Sequence, residues 1–169
     1  MFPDPQPIIP YGKQNEATAL FTETGFRQTV GRLTDGRYLV FQEPNASKGL
    51  AVQSSRGHST LDSSSVPTQK ESEPSIRFII YEQGVFPELK YKIQSDFLKG
   101  VGSSSSYLGS DLEFTSSDKA EEFIINYDAG SLTYTIQVES SNKFISISKN
   151  GQVSLSSSSF GFSVFAVTF

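Results

Sequence analysis

The chain has no cysteine and no tryptophan, and its single histidine is His58. Without cysteine there can be no disulfide, no thiolate metal centre and no cysteine nucleophile. With one histidine, a Ser-His pair of the kind that activates a nucleophile would have to be built around His58 alone, and a transition-metal site of clustered histidines and cysteines is excluded. The absence of tryptophan counts against sugar-stacking platforms without removing them, because tyrosine and phenylalanine are plentiful. No run of about 18 apolar residues is present, so no segment reads as a membrane-spanning helix. The 14 basic and 18 acidic residues leave a net charge of −4, which supplies no footprint for nucleic acid or for an anionic membrane surface. The first residues, "MFPDPQPIIPYGKQNEATALF", lack the basic start and unbroken apolar core of a signal peptide. The expectation is a protein that is cytoplasmic, or secreted without a signal peptide.

Helix signals are as scarce as cysteine: no window longer than ten residues carries a 3.6-residue apolar period. Its 169 residues include 14 Phe and 7 Tyr, and these fall in short alternating runs with Ile and Val, separated by Gly, Asn, Asp and Ser. That pattern is all-β. The clearest segment lies near the C-terminus, with strands expected at 132–139, 143–148, 152–157 and 162–169. Ile145, Ile147, Val153 and Leu155 can face one core, with Asn150-Gly151 as a two-residue hairpin turn in which both positions take positive φ.

The order recurs upstream. "LKYKIQS" (89–95) mirrors "LTYTIQV" (132–138), "SYLGS" (106–110) mirrors "KFISI", "LEFTSS" (112–117) mirrors "VSLSSS", and "EFIINY" (122–127) mirrors "FSVFAV". A stretched third copy is read as "FRQTV" (26–30), "GRYLVF" (36–41), "LAVQSS" (50–55) and "RFIIY" (77–81), with Phe78, Phe123 and Phe162 in matched places. Three four-strand units of about forty residues predict a β-trefoil of twelve strands, in which barrel closure removes exposed edges. A sandwich of twelve short strands is the competing reading. The predicted organisation is a flexible Pro-rich segment over 1–24 and one domain over 25–169. Its repeats span 25–83, 84–130 and 131–169, and a mobile Ser-rich insertion at 56–75 interrupts the first.

Chemistry is hard to find in the sequence. His58 falls in that insertion. The carboxylates Asp111, Glu113, Glu121 and Glu122 sit at strand starts and turns rather than as a pair across a cleft. "GVGSSSS" (100–106) neither opens a helix nor continues into "GK[ST]", so it is not a phosphate loop. "NAS" (45–47) is a glycosylation sequon only for a chain that enters the secretory pathway. The expectation is a non-enzymatic protein without cofactor or metal, probing partners through loops on a rigid barrel, as a monomer.

The stretch "QVESSNKFISIS" (137–148) resembles the C-terminal part of the interleukin-1 cytokine family, and within it the interleukin-18 and interleukin-33 type. The resemblance rests on Glu139, Ser140 and Ser141, then Phe144, Ile145 and Ser146, although only Asn142 and Lys143 stand where the family has a longer connection. "RLTDGRYLVF" (32–41) and "SIRFIIYEQGVFPELKYKIQ" (75–94) extend it as strand order. The resemblance implies a cytokine-like ligand engaging receptor ectodomains. The loop candidates for partner binding, read from the residues themselves, are Phe97, Leu98 and Lys99 in the 95–106 loop, Val85 and Phe86 in the 82–88 turn, which serve either as anchors or as the bottom cap of the barrel, and Asn142 and Lys143. Three alternatives stand beside it. One is a carbohydrate-binding lectin using Tyr38, Tyr107 and Phe144 at matched positions. Another is a trefoil protease inhibitor offering Lys99 to a trypsin-like pocket. The last is actin bundling, which the acidic charge disfavours.

Overall fold

The computed structural model describes residues 25–85 and 89–169. It is an all-β chain with one short helix. The strands are β1 (Gly25–Gln28), β2 (Tyr38–Gln42), β3 (Lys48–Ser55), β4 (His58–Ser65), β5 (Phe78–Gln83) and β6 (Lys90–Ser95). The helix α1 (Asp96–Gly100) follows, and then β7 (Tyr107–Leu108), β8 (Phe114–Thr115), β9 (Phe123–Asp128), β10 (Thr133–Val138), β11 (Phe144–Ile147), β12 (Val153–Ser156) and β13 (Gly161–Thr168). Six of these strands close on themselves in the order β13-β10-β9-β6-β5-β2, with β2 returning to β13. The pairs β3–β4, β7–β8 and β11–β12 branch from β2, β6 and β10 as three hairpins. Because the ring closes, its strands leave no long free edge.

Alternation decides which side chains enter the ring. Leu39, Tyr91 and Tyr134 lie opposite Phe78, Phe123 and Phe162. One step along, Phe41, Ile93 and Ile136 lie opposite Val164, Ile80 and Ile125. The same register is thus built three times, and all of these residues belong to one core, Ile125 from its rim. Phe78, Phe123 and Phe162 are at most 1% exposed; burying each ring contributes on the order of 2–3 kcal/mol. Leu50, Leu108 and Ile145, the first inward residues of the three hairpins, are buried against them.

The second and third copies follow the sequence pattern within one or two residues. The first does not. Its opening barrel strand is β2, not 26–30, and its hairpin strands are β3 and β4. β1 lies outside the ring and pairs with β13, Gly25 to Thr168 through Gln28 to Phe165. The segment 56–75, expected to be a mobile loop, carries a strand of eight residues paired along its whole length with β3. Arg56 and Gly57, with φ of 54° and 75°, make the two-residue turn that joins them, the geometry suited to right-handed strand twist. Beyond β4 come two 3-10 turns, Lys70–Ser72 packed against β1 and β13 and Pro74–Ile76 packed against β3 and α1. There Val66 and Ile76 join Val40, Ala51 and Val167 in a second, smaller core. Lys70 is buried between the rings of Phe26 and Phe165, its ammonium 4.3 and 4.4 Å from their centroids. Serine-rich composition hid two apolar anchors, Leu61 and Val66, and Ile76 follows directly after the segment.

The turn at Asn150-Gly151 also differs from expectation. Only Gly151 takes positive φ, at 84°. The turn is longer, closed by Gly151 N–H donating to Ser148 O at 2.9 Å and Ser148 N–H to Gln152 O at 2.9 Å. The Ser148 side chain, bonded to Asn150, also accepts from Gln152 N–H, so local side-chain bonding selects the wider turn.

Candidate functional site

The site is best built from three glutamines. Gln42 is the last residue, and Gln94 and Gln137 the last but one, of the first barrel strand of each unit, and they face Gly49, Tyr107 and Phe144. Just beyond them, one backbone bond closes each connection: Glu43 N to Lys48 O (2.7 Å), Ser95 N to Ser106 O (2.8 Å) and Val138 N to Lys143 O (2.8 Å). Each glutamine amide then clamps its own connection. Gln42 Nε2 donates to Ala46 O, Gln94 Nε2 to Ser106 Oγ at 2.9 Å, and Gln137 Nε2 to Asn142 O at 3.0 Å. Donation to a carbonyl fixes which way the Gln42 amide points, so Gln42 Oε1 faces away from the turn.

In the first unit this arrangement leaves a cleft of about 430 Å³. Its floor is Ser163 and Phe165 of β13, its sides are Gln28 of β1 and Gln42 of β2, and its lip is the 43–47 turn with Glu43, Asn45 and Ser47. The Phe165 ring is held by the Lys70 ammonium and by an edge-to-face contact with Phe26 at 5.9 Å. Asn45 holds the turn in a left-handed conformation, φ 59°, which asparagine tolerates better than most residues. Gln42 Oε1 has no hydrogen-bond partner although it is shut off from solvent; it is the one such buried side-chain atom among the described residues. An unpaired buried acceptor costs on the order of 1–3 kcal/mol.

The residues expected from sequence fall elsewhere. Leu98 is a core residue, 4% exposed, and not a contact on a free loop. The reason is α1, which turns the 95–106 connection inward: Ser95 caps it by accepting from Leu98 N–H at 3.1 Å. Phe97 packs half-buried against the core. Lys99 is exposed on the last turn of α1, its carbonyl accepting from Val101 and Gly102 N–H. That is not the extended backbone a protease groove pairs with. Val85 is 79% exposed and caps nothing, while Phe86 lies outside the described residues. Asn142 (φ 60°) and Lys143 are exposed on the third turn, whose span from Gln137 to Phe144 equals that from Gln42 to Gly49. Tyr38 is not the counterpart of Tyr107 and Phe144, because the first unit starts one strand later; Gly49 is. A side chain at Gly49 would meet Phe41 O at 2.6 Å and Val66 Cγ2 at 2.7 Å, so the second core fills the place where the other units put an aromatic ring. Tyr38 packs on Phe169 (5.3 Å) and Tyr107 on Tyr81 (6.0 Å).

His58 pairs with Glu113 at 3.0 Å, both exposed, where β4 meets the β7–β8 hairpin. Among the described residues no three His, Asp or Glu side chains gather as metal ligands, and no helix is long and apolar enough to cross a membrane. The signal that could have located the cleft was in the sequence: an aromatic or aliphatic residue followed by glutamine, Phe41-Gln42, Ile93-Gln94 and Ile136-Gln137, recurs at or within one residue of the end of the first strand three times.

No family model matches the chain, and no curated protein matches it. Among solved structures it is similar to the Polyporus squamosus lectin bound to the human-type influenza-binding epitope Neu5Acα2-6Galβ1-4GlcNAc, with a TM-score of 0.56 and 14% identity over 79% of this chain. The match spans 50% of that lectin chain, about half its length. At this identity the likeness is one of fold. The interleukin-1 resemblance gains no support from any of these comparisons.

Proposed function

We propose that this chain is a β-trefoil carbohydrate-binding protein, lectin-like and non-enzymatic, with its ligand in the cleft between β1, β13 and the 43–47 turn. The six-strand ring, the three hairpins and the thrice-repeated register support the trefoil reading, as does the fold shared with a lectin. The observation that carries the function is the cleft itself. It sets one rigid aromatic ring beside several neutral polar groups, Gln28, Gln42, Asn45 and Ser163. That is the mixture a shallow sugar site needs, an apolar face for the ring carbons and amides and hydroxyls for the sugar hydroxyls. The protease-inhibitor alternative gains less, because Lys99 sits on a helical turn, and the cytokine reading gains no support from the comparisons.

The test is a glycan array probed with the labelled full chain, followed by calorimetry on the best glycan. Saturable binding with a defined glycan preference is expected. An array without a hit, repeated with the protein shown to be folded, would sink the reading.

A further inference from the structure

The second unit contains an internal control for the cleft. Tyr81 is the counterpart of Phe165: Tyr81 lies opposite Lys92, one residue before Ile93, and Phe165 lies opposite Val40, one residue before Phe41. In the second unit the Tyr81 hydroxyl donates to Gln94 Oε1 at 2.7 Å. Gln94 is thereby satisfied at both ends and buried, 7% exposed. In the first unit the ring is phenylalanine. It brings no hydroxyl, and the matching acceptor, Gln42 Oε1, is the one left bare. The third unit has Asn126 at this place, opposite Thr135. The three sites therefore share one clamp and differ in what completes it.

Resting on the carbohydrate reading, we infer that the first-unit cleft is a subsite for a neutral polyhydroxylated ligand, one hydroxyl of which donates to Gln42 Oε1 as Tyr81 does to Gln94. The free protein carries the cost of an unpaired acceptor, and a bound hydroxyl removes it, so the contact favours ligands that donate there. The oxygen is closed to water in the free protein while its residue lines the cleft, so a ligand reaches it through a local adjustment of the Gln42 side chain. Glu43 sets the charge preference. It is the one charged residue lining the cleft, and Lys70 is shut in against the Phe165 ring. A carboxylated sugar placed here would face a like charge, so a neutral sugar is selected. The second unit offers no equivalent place, because Tyr81 already occupies it.

Phe165→Tyr tests this. The added hydroxyl would take the bare acceptor, as in the second unit, and close the subsite. The expected result is a higher unfolding midpoint together with about tenfold weaker binding of the best neutral glycan. The second variant, Glu43→Gln, alters only a half-exposed side chain. It is expected to narrow, several-fold, the preference for that glycan over the same glycan ending in a carboxylated sugar, by raising the affinity for the carboxylated form. If wild type binds a glycan and Phe165→Tyr binds it equally well, the subsite is wrong while the lectin reading stands. A wild-type preference for the carboxylated form, or an unchanged preference in Glu43→Gln, also overturns the inference. If wild type binds no glycan, the lectin reading falls and the inference with it.

Discussion

Tyr81→Phe removes one oxygen and nothing else. The ring keeps its tilted contact with Tyr107 at 6.0 Å, and the β5–β6 ladder is untouched. What is lost is the 2.7 Å bond to Gln94 Oε1, on a glutamine only 7% exposed whose amide nitrogen is committed to Ser106. The acceptor cannot turn to water without breaking that second bond. The cost is therefore that of a stranded buried acceptor, about 1–3 kcal/mol, rather than the smaller net value of an exchanged hydrogen bond. For a chain of this length, 1 kcal/mol moves the unfolding midpoint by about 2–4 °C, so calorimetry should show a drop of roughly 2–12 °C. Among the described residues, Tyr81 is also one of two tyrosines whose ionisation is pushed up to about 12, chiefly by burial. An ultraviolet titration of the variant should then lose one late-ionising phenol. A midpoint unchanged or raised would refute the reasoning that these glutamines require a hydroxyl, and the Phe165 comparison would lose its basis.

Two further outcomes follow from the same structure. Tyr81 and Tyr134 keep their protons to about pH 12 when folded, whereas unfolded phenols ionise near pH 10. The stability they contribute is full below pH 10 and is lost as pH climbs through about 12; urea unfolding at stepped alkaline pH should show it, and a flat profile over that window would contradict it. Leu98→Ala should cost about 2–5 kcal/mol as a core truncation, while Lys99→Ala on the exposed side of α1 stays within about 0.5 kcal/mol. Equal effects at the two positions would contradict the inward turn of that loop.

The second and third units were legible because their strands are short, alternating and bounded by turn residues. Tyr91-Ile93 and Tyr134-Ile136 announce the same inward face, and Phe123 and Phe162 complete it. The first unit misled for a physical reason. β1 has the composition of a barrel strand but is an outer strand on β13, and only the hydrogen-bond register separates the two roles. β4 reads as polar loop because alternate positions of an outer hairpin face water, leaving Leu61 as its sole buried anchor. Leu98 looked like a loop contact because five residues are too few to show a helical period, while the Ser95 cap that creates α1 depends on the local fold.

By itself, the sequence determined the strand-rich class, the units that repeat from residue 89 onward and the absence of thiol and clustered-histidine chemistry. Those follow from residue type and spacing along the chain. Tertiary structure decided that 56–75 packs, that Gly49 rather than Tyr38 is the third member of its set, and that Gln42 stands without the hydroxyl Gln94 receives. Each of these depends on strands distant in sequence meeting in one register, and on which of two nearly identical rings carries an oxygen at the meeting point.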